Sequence, residues 1–410
     1  MNRKLIRFIC LPLAIATTAC MCSCKDTKTN SSSSASSGAQ KIPYEYELEQ
    51  YTEKFWEGDT VYWESITFIQ NKDGVVEPCP LMYTPKEVLS VRSGDMMLEY
   101  RNGIDYKVEN GKIVWLESGM IPFCSYDKYS PKYPEGKSDW LVSALDSSRY
   151  IAIDGSVRAA QVMVTYTHED TWKAAKPQSE ADKLPKTMAK LQNKQQLKVV
   201  FYGDSITTGG DASGNKETYI DPTTLEEVQA NGNSSPYTPS FAEMLISKMK
   251  KTYGYDDIVK INRAAGTTSS VWGADHVAEL VNPHNPDLVV IGFGMNEPGR
   301  SAEDFKQSMT MIMDSIRSAN PNAEFLLVSC MMPNPDAAAF ANDKLGEQEA
   351  ALYELQAQYG SVAVAPVNKM NKALIEQGKR FIDFTGNALN HPNDFSVRIY
   401  AQTLMATLGL

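Results

Sequence analysis

The sequence predicts two folds in tandem: an all-β sandwich of jelly-roll type, then a three-layer α/β/α domain built on a parallel sheet. Three observations predict this. Beyond residue 196, short apolar runs that end in glycine or polar turns alternate with segments whose apolar residues recur at helical spacing. That alternation implies a parallel sheet covered on both faces. Between residues 42 and 170, strand-like runs are punctuated by Asn102-Gly103 and Asn110-Gly111, and Asn-Gly is the strongest short hairpin signal. Thr171 to Gln195, rich in Lys, Ala and Gln, reads as the connection. The chain therefore divides into 1–24 (leader), 25–41 (tether), 42–170 (β-sandwich), 171–195 (linker) and 196–410 (α/β domain).

The leader has its own logic. Arg3, Lys4 and Arg7 precede an apolar segment, Phe8 to Ala19, that is too short to span a bilayer and reads as a signal peptide. Ser23-Cys24 followed by Lys25-Asp26 resembles a bacterial lipoprotein processing site, with Cys24 as the lipidated residue and Cys20 as the alternative. The resemblance implies a protein anchored by lipid to a bacterial membrane, the outer one, facing periplasm or exterior. Asp26 to Gln40, with four consecutive serines from Ser31, is low in complexity and serves as a flexible tether.

In the β region, Val61–Phe68, Met96–Arg101, Ile104–Val108, Lys112–Leu116, Ser148–Ile153 and Gln161–Tyr166 are the expected strands, the middle three forming a meander. Five of the six tryptophans fall in this half; a sandwich core accounts for most of them, a sugar-stacking surface being the other use.

In the α/β region, Leu197–Tyr202, Ile258–Asn262, Asp287–Ile291, Glu324–Ser329 and Val362–Val367 are the expected strands. Phe241–Met249, Phe305–Ile316, Gln348–Gln358 and Val397–Leu408 show helical spacing. A polar stretch from Thr208 to Pro239 exceeds the usual connection length, and such loops are commonly functional.

The chemistry collects at strand ends. The first of these strands runs into Gly203-Asp204-Ser205-Ile206, placing a serine where open α/β sheets gather ligands. A turn or a helix cap would explain that tetrapeptide equally well. The second strand ends at Arg263-Ala264-Ala265-Gly266, and the third at Gly292-Phe293-Gly294-Met295-Asn296-Glu297. Near the carboxyl end lies Asn390-His391-Pro392. Ser, Gly, Asn and His in this order resemble the SGNH (GDSL) hydrolase superfamily over about residues 196–410. The resemblance implies that Ser205 is an acyl-accepting nucleophile and His391 its base. It places the oxyanion hole at the Ser205 N–H, the Gly266 N–H and the Asn296 amide. These residue types suit the task. A serine hydroxyl needs a neighbouring base, imidazole titrates near working pH, and donors must already point to where charge develops. His168, His276 and His284 lack the late position and following proline of His391.

The chain departs from the superfamily at one position. An aspartate usually stands three residues before the histidine, and here that residue is Ala388. Three readings follow: a Ser–His dyad oriented by a backbone carbonyl, as in some carbohydrate esterases of the superfamily; a relocated acid, with Asp383 and Asp394 the candidates; or a weakened or dead enzyme. Some carbohydrate esterases also carry a β domain ahead of the hydrolase domain. The combined resemblance therefore points to removal of acyl groups, acetyl foremost, from polysaccharide or oligosaccharide hydroxyls. A lipid esterase or thioesterase, or a noncatalytic glycan-binding lipoprotein, are the alternatives.

Composition narrows the partners. The formal charge of −10 drops to about −13 once Arg3, Lys4 and Arg7 leave with the leader, a poor surface for nucleic acid. Neither a metal-spaced Cys/His cluster nor a phosphate-binding P-loop is present in the sequence, so no cofactor or metal is called for. Of the seven cysteines, Cys79 and Cys124 share the β region and could pair in an oxidising compartment or stay free, whereas Cys330 reads as buried and free.

Overall fold

The runs read as strands between residues 42 and 170 fold into antiparallel sheets in the computed structural model, which describes residues 40–41, 44–134, 141–297, 299–341 and 344–410. The leader, Cys24, Trp140 and nearly all of the tether lie outside these residues. Strands β1 (Gln40–Lys41), β2 (Thr60–Thr67), β3 (Cys79–Pro80), β4 (Pro85–Ser93), β5 (Leu98–Tyr100), β6 (Tyr106–Glu109), β7 (Lys112–Trp115) and β8 (Gln161–His168) form two sheets. One has the order β1-β5-β4-β8-β2, the other β3-β7-β6. Short helices α1 (Leu48–Thr52), α2 (Tyr126–Tyr129) and α3 (Ser156–Ala159) fill the connections.

The two Asn-Gly pairs behave differently. Asn110 and Gly111 both take positive φ and turn β6 into β7 as a hairpin. Asn102-Gly103 makes no hairpin, because β5 and β6 belong to different sheets. There the buried Asp105 accepts the Arg101 N–H at 2.8 Å and the Met120 N–H at 2.9 Å, which redirects the chain. The expected strand Ser148–Ile153 is reduced to isolated bridges at Arg149 and Tyr150. β4, absent from the sequence reading, pairs along β8 at the centre of the larger sheet.

The second half is an α/β/α arrangement. Strands β9 (Leu197–Gly203), β10 (Thr218–Ile220), β11 (Glu227–Gln229), β12 (Ile258–Asn262), β13 (Leu288–Gly292), β14 (Glu324–Val328) and β15 (Val362–Ala365) follow in order. β10 and β11 make a small hairpin in the long loop, and the others form the parallel sheet β12-β9-β13-β14-β15. Helices are α4 (Pro185–Gln192), α5 (Phe241–Tyr253), α6 (Ser270–Leu280), α7 (Ala302–Ala319), α8 (Leu345–Gln358), α9 (Val367–Glu376) and α10 (Asp394–Thr407).

Successive strand residues point to opposite faces, and the two cores divide accordingly. Val200, Tyr202, Val289, Ile291, Phe325 and Leu327 pack with apolar residues of α6, α7 and α8. Val199, Phe201, Leu288, Val290, Leu326 and Val328 join the core of α5, α9 and α10. That second core continues without interruption into Ile66, Phe68, Val162 and Tyr166 of the β region.

Residues from 39 onward accordingly form one compact unit. A buried polar seam also binds its halves. Lys379 and Glu64, both inaccessible to solvent, lie 2.7 Å apart, and Lys379 Nζ also donates to Ser65 O at 3.0 Å. Arg398 donates to the carbonyls of Gln50, Tyr51 and Tyr62. A buried pair of this kind contributes little net stability, but losing one partner costs about 3–5 kcal/mol. Cys79 and Cys124, whose pairing the sequence left open, are both buried free thiols. Cys79 instead packs against Thr67 and lies 3.2 Å from Arg380 Nη2.

Candidate active site

Ser205 is presented by a tight turn at the end of β9. β9 pairs with β13 up to Gly203↔Gly292, and a Cβ at position 203 would overlap Gly292 O and Thr207 Oγ1. Only glycine therefore lets the chain leave the strand there. Asp204 then turns the chain: its Oδ1 accepts the Ile206 N–H at 3.0 Å, and its carbonyl accepts the N–H groups of Thr207 and Thr208. The turn reading of this tetrapeptide holds, and the same turn lifts Ser205 out of the strand, where a nucleophile would have to stand. Complete burial pushes the Asp204 carboxyl up to about 7, although the Ile206 N–H and the nearby His391 pull the other way.

His391 arrives from the far end of the chain on a loop organised by one side chain. Asn387 Oδ1 accepts three backbone N–H groups, those of Leu389, Asn390 and His391, at 2.9–3.0 Å. Gly386 N donates to His391 O, and two residues beyond His391 the Asn393 side chain caps α10 through the Ser396 N–H. The result places His391 Nε2 2.8 Å from Ser205 Oγ, across 186 residues of sequence. With the proton on Nδ1, the Ser205 hydroxyl donates to Nε2, the geometry a general base requires.

The acid comes from neither expected residue. Asp211 Oδ1 lies 3.4 Å from His391 Nδ1, with both side chains about a quarter exposed (28 % and 25 %). Asp383 is consumed by the seam: it accepts the Thr67 N–H at 2.8 Å and pairs with Arg380 and Lys379. Asp394 accepts the Ser213 N–H at 2.8 Å at the start of α10. Ala388, at the position where the superfamily has its acid, is buried with φ 65°, and its carbonyl accepts from Asn334. Asp211 follows Gly209-Gly210 in the long polar loop after the nucleophile. Its signal in the sequence was that of the first acid in a stretch long enough to be commonly functional or mobile.

The electrostatics are consistent with a working acid–base pair. Burial disfavours the charged imidazole, but the hydrogen bond and charge of Asp211, with the more distant Asp204, outweigh it and raise the His391 pKa above its ordinary value. Burial likewise acts against the Asp211 carboxylate, while His391 and Arg158 hold its pKa below the usual range. Gly386 allows the approach: a Cβ there would sit 2.7 Å from the Asp211 Cβ.

The oxyanion candidates stand on neighbouring strand ends. Ala265 N donates to Gly203 O at 2.9 Å, which sets Gly266 beside the nucleophile turn, and a Cβ at Gly266 would meet nothing within 4 Å. Among the described residues, neither the Ser205 N–H nor the Gly266 N–H has a protein acceptor. Asn296 Nδ2 donates one hydrogen to Thr268 O at 3.0 Å, which ties its loop to the Gly266 loop. Glu297 braces the same pair of loops, accepting the Ser270 N–H at 2.7 Å and the Arg300 guanidinium.

The other histidines lie apart. His168 stacks on Tyr83 at 3.9 Å, His276 lies against Trp272, and His284 Nε2 accepts from Arg263 at 2.8 Å.

Solved structures similar to this chain include a two-domain esterase active on acetylated mannans, at 20 % identity, covering 55 % of this chain and 52 % of that one, with a TM-score of 0.41. A catalytic mutant of an acetylxylan esterase from Geobacillus stearothermophilus is 12 % identical, covering 52 % and 94 %, with a TM-score of 0.40. An α/β hydrolase from the metagenome of Lake Arreo, Spain, is 15 % identical, covering 52 % and 95 %, with a TM-score of 0.40. No curated protein matches the chain. Residues 201–396 match the GDSL-like lipase/acylhydrolase family, an interval that contains Ser205, Asp211, Gly266, Asn296 and His391, and this stretch of the chain is a domain of that family.

Proposed function

We propose that the protein is a serine esterase that removes acyl groups, acetyl foremost, from hydroxyls of polysaccharides or oligosaccharides, and that it works from a membrane anchor at Cys24. The observation that carries the catalytic part is the 2.8 Å contact between Ser205 Oγ and His391 Nε2, with Asp211 behind the imidazole. Ser205 Oγ attacks the ester carbonyl carbon while its proton passes to Nε2. The tetrahedral oxyanion is held by the Ser205 and Gly266 N–H groups and the remaining Asn296 amide hydrogen. The C–O bond to the sugar then breaks, and His391 returns the proton to the departing oxygen. Water, deprotonated by His391, cleaves the acyl-enzyme and releases the carboxylic acid and free Ser205.

The substrate class is supported by the resemblance in domain order and by the leader, tether and cysteine, which suit a protein held at a surface. The noncatalytic reading rested on Ala388, and Asp211 removes that support. The test is acetate release from acetylated plant-type glycans by wild type and Ser205→Ala. Loss of about a millionfold in turnover, with folding retained by circular dichroism, is expected. Equal release from both would remove Ser205 from the mechanism. Turnover confined to long-chain aryl esters would replace the deacetylase by a lipid esterase.

A further inference from the structure

We propose that Arg158, carried by the β region, is a positioning residue of the active site: its guanidinium holds the Asp211 loop and the base of α10 together, so that the acid faces His391. The inference rests on the serine-esterase reading above and adds to it a contribution from outside the family domain, which begins at residue 201.

The geometry is specific. Arg158 Nη1 donates to the main-chain carbonyl of Asp211 at 2.8 Å, and Nη2 lies 4.0 Å from Asp394 Oδ2. Asp394 in turn accepts the N–H of Ser213, two residues beyond Asp211, at 2.8 Å. One planar group thus spans the acid-bearing loop and the first residue of α10, three residues after His391. Arginine suits this role because its donors form a rigid fork, whereas a lysine offers a point charge on a flexible stem.

The stretch that carries Arg158 is itself anchored at the site. Gln161 Nε2 donates to Thr385 O at 2.6 Å, next to Gly386, and the Phe68 N–H donates to Ala160 O. Residues 158–161 therefore grip the loop of the acid on one side and the loop of the base on the other.

A strut matters here because the acid is loosely held. The Nδ1–Oδ1 separation of 3.4 Å is longer than a charge-assisted bond of about 2.7–2.9 Å, so small shifts of the Asp211 backbone change its effect on the imidazole. The charged and titratable groups around His391 are Asp211 from the loop after β9, Asp204 from the end of β9, Asp394 at the start of α10, and Arg158 from α3. Arg158 also helps keep Asp211 ionised.

The test uses the full chain and an aryl acetate, with Arg158→Gln and Arg158→Lys. Expected is a fall in kcat of about ten- to a hundredfold with KM changed less, the cost of a misplaced catalytic group. The acid limb of the kcat–pH profile should move to lower pH, because His391 loses the partner that raises its pKa. Arg158→Lys keeps the charge and the stem and should show the same shift even if Arg158→Gln folds poorly. The double variant Arg158→Gln with Asp211→Asn should be no slower than Asp211→Asn alone, since residues acting through one group are not additive. Unchanged kcat and pH profile in Arg158→Lys, or full additivity in the double variant, would overturn the inference. The control separates it from the parent reading. If Ser205→Ala is inactive while the Arg158 variants are normal, only the strut fails; if Ser205→Ala stays active, the esterase mechanism fails.

Discussion

The two sides of the site are built by different means. The candidate nucleophile and oxyanion donors follow closely on the ends of β9, β12 and β13, adjacent strands whose spacing the hydrogen-bond ladder dictates. The acid and the base stand on loops, and those loops are shaped by side-chain bonds from Asn387, Asp394, Arg158 and Gln161, two of them rooted in the β region. The comparison teaches that groups just past a strand end start from a spacing the ladder has set, with short ties such as Asn296 to Thr268 completing it, whereas the loops of the acid and the base depend on support from farther away. Substitutions at strand ends should then remove one chemical contribution each, while substitutions in the loop scaffold should disturb orientation and pH dependence together.

The largest effect that probes this contrast is at the acid. Asp211→Asn should lower kcat by up to about ten-thousandfold, the loss seen when a triad carboxylate is neutralised. The sign of its pH effect follows from the raised His391 pKa. The base must be neutral to act, so activity is lost as pH falls through that pKa. Without the carboxylate the pKa drops, and the acid limb moves to lower pH. A kcat–pH profile on an aryl acetate measures it. An unmoved limb would return the orienting role to some other group.

Asn296→Ala, on the strand-end side, should cost about a hundred- to a thousandfold in kcat. Its acid limb should stay in place, because no charge beside His391 changes. A shift of that limb would mean that the two sides are not separable in the way the architecture implies.

The smallest effect on chemistry is expected deepest in the seam. Lys379→Ala leaves the Glu64 carboxylate buried without its partner and should cost about 3–5 kcal/mol of stability. Denaturant unfolding followed by fluorescence reads the loss, and kcat per folded molecule should change little. A large fall in kcat at unchanged stability would show that the β region serves catalysis more than folding.

How much of this was legible differs by element. The parallel strands were readable because Leu197–Tyr202, Ile258–Asn262 and their successors are short, nearly continuous apolar runs that end in a glycine or polar break, as strands buried on both faces do. Asn110-Gly111 was readable because both residues tolerate the left-handed region. Asn102-Gly103 misled, because a carboxylate at Asp105 took over the backbone groups that a hairpin would have paired. The acid was sought near His391 in sequence, at Asp383 and Asp394, and both carboxylates turned out to be occupied by N–H groups of other segments, Asp383 also by the neighbouring cations Lys379 and Arg380.

Local pattern along the chain was enough for the five parallel strands, for the four long helices α5, α7, α8 and α10, and for the turn at Ser205 with Gly266 and Asn296 as candidate donors beside it. These depend on local periodicity and on glycine, which act over a few residues. Folding alone brought Asp211 to His391, gave the β region a common core with the α/β domain, and left Cys79 and Cys124 as free thiols. Each of those outcomes depends on which polar groups find one another across a hundred residues or more, or across a folded loop. The energy of such a meeting comes from burial and geometry, which leave no periodic trace along the chain.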